Sequence, residues 1–263
     1  SLYPNTILGQ DIAGSVDSIE KITVKDLKDN FDCFYKPANC HLVLVGDFDV
    51  EDIYTFVNEK QSKFTPPERI VEKEKHLIES DIQKLDSLQM EIFISKLAIG
   101  FKSVPFTDNR MRENILVQLL FNLLFGWTSP YYQNWYAEGK IDESVSIEYE
   151  VSNRYSFVIM TMDTAEPIRM SSLIRQVMTS ADKKRLLTEE ALDLQKKALY
   201  GEFLRSLDNI QNLGSQYLAY FENDKTYFDF GQELMSITSK ELKDFLNHYL
   251  SNMEITDFVV FPK

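Results

Sequence analysis

Residues 22–29 read ITVKDLKD and residues 237–244 read ITSKELKD, six identities and one Asp-to-Glu exchange in eight positions, 215 residues apart. A chain that carries one local unit twice at that distance is held to a duplicated architecture, because each copy must find the same kind of cover. Both copies predict a helix followed by a strand. Thr23 and Thr238 are placed as N-caps with an acid three positions on, Asp26 and Glu241, the spacing of a capping box. The helices carry apolar stripes, Leu27, Phe31 and Phe34 in the first and Leu242, Phe245, Leu246 and Tyr249 in the second, which are expected to be buried. Apolar runs of strand composition follow, Cys40 to Gly46 and Ile255 to Phe261.

With a repeat unit of that length, residues 80–263 make nearly one whole copy and residues 1–65 are the tail of a preceding one. Pro66-Pro67 and the charged run Glu68 to Glu74 mark a linker over 66–79, since they end the helix that Asp49 opens and have no apolar periodicity. The chain is therefore expected to be a fragment of something longer.

Within the second copy the pattern predicts a strand pair around Ile82–Ser95 and Lys96–Ser103, then a long helix from about Asp108 to Phe125 and a short one over Pro130–Glu138. A hairpin follows, in which Val145, Ile147, Tyr149 and Val151 alternate with Ser144, Ser146, Glu148 and Glu150 and return through Ser152-Asn153 into Tyr155–Met162. Helices are predicted near Glu166–Ser180, Glu189–Ser206 and Asn209–Glu222. Strands and helices come in runs rather than strict alternation, so the fold class is α+β, a two-layer mixed sheet with helices on one face.

Lys plus Arg number 28 against 41 Asp plus Glu, a formal charge of −13, the wrong sign for coating nucleic acid or an anionic membrane. The greasiest stretch, Ile115 to Trp127, is broken by Gln118, Asn122 and Gly126 and falls short of the roughly twenty residues a span needs, so it is a core helix. The opening Ser1-Leu2-Tyr3-Pro4-Asn5 has no basic or apolar leader, which gives a cytoplasmic expectation. Cys33 and Cys40 are the only cysteines; they are expected to be reduced and buried, and their spacing fits neither a redox pair nor a zinc knuckle.

Few residues offer chemistry. His41, His76 and His248 have no second ligand at a spacing that would share a metal, and adjacent Cys40 and His41 on a strand would point to opposite faces. Gly9 and Gly14-Ser15 have the glycine spacing of a phosphate loop but lack its lysine. No G-x-S-x-G elbow is present. Glu148 and Glu150 are read as an exposed strand face, and the cluster Tyr131, Tyr132, Trp135 and Tyr136 as core filling ahead of a peptide platform.

Leu2-Tyr3-Pro4, Leu8-Gly9, Ser18-Ile19, Ile22-Thr23, Phe34-Tyr35-x-Pro37-x-Asn39 and the run from Leu42 to Asp49 together resemble the closing part of the first domain of pitrilysin/insulinase-type zinc metallopeptidases. The second copy resembles the same family through Gly100-Phe101-Lys102, the long apolar helix, Ser129-Pro130 and the Glu138-Gly139 turn. Asp11-Ile12-Ala13-Gly14-Ser15 is similar to an extension in a bacterial subgroup whose members occur as paired proteins. The resemblance implies a LuxS/insulinase-like metalloenzyme domain. It also implies that zinc sits on an inverted H-x-x-E-H helix upstream of Leu2; this chain contains no such motif, so no catalytic residue, metal ligand or cofactor is expected in it.

Family members lend substrate contacts from the second domain, typically an Arg three residues before the turn glycine and a Tyr three after. Aligned on Gly139, those positions are Tyr136 and Asp142, so a charged donor is replaced by a phenol and an acceptor is added. The implied function is that of a non-catalytic C-terminal part which helps to enclose and bind a peptide or small-protein substrate, its partners being the rest of the full-length chain and a paired homologous subunit. The alternative is a degenerate binding or scaffold subunit of a paired insulinase-like complex.

Overall fold

The computed structural model describes residues 1–63, 81–152, 154–180, 183–221 and 225–263; the predicted linker lies outside them. The described residues divide into two compact units, residues 1–9, 81–205 and 228–263 in one and residues 10–63 and 206–227 in the other.

The first unit is built on a five-stranded mixed sheet: β1 (Leu85–Met90), β2 (Lys96–Ser103), β3 (Ser146–Val151), β4 (Ser156–Asp163) and β5 (Glu254–Pro262), in the order β1-β5-β2-β4-β3. β5 runs parallel to β1, and the other pairs are antiparallel. With its helices this is the α+β architecture expected from the run pattern. The expected pairing of β1 with β2 is corrected: β5 lies between them, with Leu97 opposite Val259. A strand as apolar as β5 loses most water contact in the interior of a sheet, which places the last strand of the chain near the centre.

Leu97, Ile99 and Phe101 of β2 and Val158, Met160 and Met162 of β4 form one buried face. The helix Arg110–Phe125 packs there, Phe101 meeting Phe121 edge to face at 5.2 Å. Helices Phe230–Ser236 and Ser239–Asn252 also pack on it, Phe121 touching Tyr249. Covered by the sheet and by these helices, it is apolar around most of its circumference, which is why its sequence is so greasy. No helix among the described residues is long and apolar enough to cross a membrane. Helices Pro130–Ala137, Pro167–Thr179 and Glu189–Leu207 fall within two residues of their predicted bounds.

The two repeat copies differ at their caps. Thr23 and Asp26 form a complete capping box, whereas the Thr238 hydroxyl accepts from the Glu241 amide and Glu241 gives nothing back. Arg112 has claimed that carboxylate, with Nε and Nη2 each 2.5 Å from a Glu241 oxygen and Nη1 2.6 Å from Glu233. A charge-assisted bidentate contact outcompetes a neutral amide for the same acceptor.

Glu113, 1% exposed, accepts from the Phe106 and Thr107 amides through Oε2, while Oε1 and the buried Tyr249 hydroxyl have no partner. Burial pushes its carboxyl up to about 7 in spite of those two amides. Between the unfolded carboxylate value and about pH 7 the unfolded chain has released a proton that the folded chain keeps, so stability falls as pH rises through that window. The decline expected is up to about 3 kcal/mol. Chemical denaturation across that range should show it, and Glu113→Gln should flatten it; a parent curve that is flat there would contradict the assignment.

The second unit holds helices Val16–Ile19, Val24–Phe34, Val50–Gln61 and Ile210–Tyr220. The second and third of these, and their caps at Thr23 and Asp49, agree with the sequence. Three expectations are corrected here. Cys40 is extended, yet residues 40–46 join no ladder, because the described residues of this unit supply no strand to pair with them. The stripe on Val24–Phe34 is not buried: Leu27 is 61% and Phe31 59% exposed, against 0% for Leu242 and Leu246 at the equivalent places of the second copy. For the same lack of cover Cys33 and Cys40 are free but exposed, not buried.

Candidate functional site

The three residues carried over from the resemblance converge at one corner of the first unit. Helix Pro130–Ala137 is begun by Ser129, whose hydroxyl accepts from the Tyr132 amide and donates to Leu124 O at 2.6 Å, and Pro130 fits its first turn. Gly139 ends it in the left-handed region at φ 66°, with the Lys140 amide reaching back to Trp135 O at 2.9 Å. A left-handed residue is what lets the chain reverse there, and glycine adopts it without penalty. The turn buries Ile141 and leaves Asp142 outside.

On the helix, Tyr136 stacks on Tyr132 with centroids 6.1 Å apart and planes 12° from parallel. The Tyr132 hydroxyl donates to the Asp142 carbonyl at 3.4 Å. The Asp142 carboxylate accepts from the Ser144 amide at 2.8 Å, and hydrogen bonding from Ser144 holds its carboxyl below the usual range. Ser144 Oγ in turn accepts from the Asp163 amide, and Asp163 pairs with Lys96 at 2.7 Å. The corner is thus an aromatic pair beside an anion fixed at neutral pH. The aromatic cluster divides: Trp135 is core, as expected, while Tyr136 is 46% exposed. Tyr132, expected as core filling, stands four residues from Tyr136, the spacing that places both on one helix face.

The sheet contributes a second surface. Alternation puts Ala98, Gly100 and Lys102 of β2 on the side away from helix Arg110–Phe125, together with Phe157 and Ile159 of β4 and Phe258 of β5. The first residues of the chain lie on it: Tyr3 meets Phe157 edge to face at 5.7 Å beneath the Lys102 ammonium, and Ser1 O accepts from the Gln83 amide. Glu148 and Glu150 on β3 are exposed, while Ile147 and Tyr149 are half-buried and Val151 is buried, as the alternation predicts.

Zinc does not fit the donors present. Among the described residues no three His, Cys, Asp or Glu side chains stand close enough to hold a metal. His248 Nε2 lies 3.1 Å from Val104 O with its ring against Phe106, and the His41 ring faces Phe221. His76 lies outside the described residues.

The α+β fold built on this five-stranded mixed sheet is shared with M16-like peptidases. The chain belongs to the M16 peptidase family: residues 21–199 match the family model described as the peptidase M16 inactive domain. It is 30% identical over 268 residues to a protein named zinc protease YmfH of Bacillus subtilis (strain 168), covering all of this chain and 62% of that one. Zinc protease PqqE of Helicobacter pylori is 19% identical over 261 residues, covering 95% and 57%. An M16-like peptidase from Alicyclobacillus acidocaldarius shares the fold at TM-score 0.81 and 24% identity, over 96% of this chain and 61% of that structure. The chain thus spans about three fifths of the length of these relatives.

Proposed function

We propose that the chain is the non-catalytic part of an M16 zinc metallopeptidase, helping to enclose a peptide or small-protein substrate and binding it through Tyr136, the Gly139 turn and Asp142. The match to the inactive domain carries this reading, and the convergence of Tyr132, Tyr136 and Asp142 supports it. Residues 1–65 are, on this reading, the tail of a first repeat, 66–79 a linker and 80–263 the second repeat. The exposed stripe of Leu27 and Phe31 would be covered by the rest of the longer protein, as Leu242 and Leu246 are buried on a helix that packs against its neighbours. Zinc would be held by that other part. A second reading, a binding or scaffold subunit of a paired complex, draws on Tyr136 and Asp142 themselves, which replace the charged donor and the phenol typical of active members.

The direct test is titration of the chain with a fluorescein-labelled extended peptide of mixed composition, read by anisotropy. Tyr136→Ala should weaken binding by about tenfold, as loss of an exposed aromatic platform does. Equal affinity of parent and variant would remove the corner from the substrate surface.

A further inference from the structure

The corner at the end of helix Pro130–Ala137 carries more negative charge than its own cations answer. Lys96 pairs with Asp163, Lys140 with Glu138 and Arg169 with Glu166, so each neighbouring cation has a carboxylate of its own. Asp142 and Glu143 are exposed and enter no ion pair among the described residues. Both stand beside the stacked rings of Tyr132 and Tyr136, whose planes are 12° from parallel. Burial pushes the Tyr132 hydroxyl up, and so do Tyr136, Glu143 and Asp142, which puts the two carboxylates within electrostatic reach of that pair.

An aromatic face attracts a cation through its ring quadrupole, and a carboxylate beside it accepts the cation's hydrogen bonds. A long basic side chain uses both, because it has an apolar stem to lay along the rings and a charged head to reach the oxygens. An acidic side chain is repelled here, and a neutral aromatic one leaves the carboxylates unanswered. The donors do not suit a metal ion, since among the described residues no three His, Cys, Asp or Glu side chains stand close enough to hold one. The geometry points to a basic side chain, arginine or lysine, of an extended peptide as the group this corner takes, its stem along Tyr132 and Tyr136 and its head against Asp142 and Glu143. This names the substrate class of the proposed peptide-binding site and rests on that reading.

The probes are two fluorescein-labelled peptides of one neutral sequence, with arginine or citrulline at the centre. Citrulline keeps the length and planarity of arginine and loses the charge. By anisotropy the parent chain should bind the arginine peptide about tenfold more tightly, the gain from a cation over an aromatic face joined to a charge-assisted hydrogen bond. Asp142→Asn, which keeps an oxygen for the Ser144 amide, should cut that ratio to about threefold or less, and Glu143→Gln should lower it as well. Asp86→Asn removes one negative charge on β1, at the opposite edge of the sheet from β3, and should leave the ratio intact. A ratio near one in the parent, a ratio unchanged by both Asp142→Asn and Glu143→Gln, or an equal fall with Asp86→Asn would overturn the basic preference. The peptide-binding role stands in those cases if both peptides bind and Tyr136→Ala weakens them. If neither peptide binds the parent, the role and the preference fall together.

Discussion

Leu242→Ala will destabilise this protein by about 2–5 kcal/mol, whereas Leu27→Ala, the same change at the same position of the repeat, will cost no more than about 0.5 kcal/mol. Leu242 is fully buried on helix Ser239–Asn252, which packs on helix Arg110–Phe125 and carries Phe245 against Phe106 at 5.8 Å. Truncation there removes transfer energy and leaves a cavity that interlocked rings cannot collapse into. Leu27 stands mostly in water, so shortening it creates no cavity. Urea unfolding followed by far-ultraviolet circular dichroism reads both, because both residues lie on helices. A cost at Leu27 approaching that at Leu242 would show that residues 24–34 bury their stripe in solution, and the contrast between the copies would be lost.

Arg112→Met should cost about 2–4 kcal/mol. The guanidinium joins the start of helix Arg110–Phe125 to Glu233 and Glu241 on two further helices and also donates to Ser236 Oγ at 2.9 Å. All three charged side chains are less than a quarter exposed, so the pair of carboxylates left behind would repel in a place water only partly reaches. The usual value for breaking a buried pair is reduced here because some solvent screening remains. Hydrogen bonding to Glu241 raises the Arg112 pKa, which keeps the cation charged wherever the fold persists. A variant as stable as the parent at neutral pH would mean that the network only orients these helices.

Much of the first unit could be read from patterns only a few residues long. The capping threonines, the alternation in β3 and the apolar run of β5 state their structure locally, and helix bounds follow within two residues. Part of the corner was also legible, since Gly139 announces a helix stop and a turn. The importance of Tyr132 was not, because its hydroxyl finds the Asp142 carbonyl only once the turn has closed. The Glu241 box failed for a similar reason: its competitor, Arg112, is 129 residues away in the chain.

What the sequence determined by itself was the kind of unit, a capped amphipathic helix leading into an apolar extended run, written twice. Tertiary structure decided what each copy became. In the second copy β5 found β1 and β2 on its two sides, and its helix found a partner to cover the stripe. In the first copy the same letters gave the same helix, but residues 40–46 joined no ladder and Leu27 and Phe31 remained mostly in water. A helix closes its hydrogen bonds within itself, so its sequence suffices to form it. A strand and a buried stripe exist only when another segment supplies the other half of the hydrogen bonds and the apolar surface.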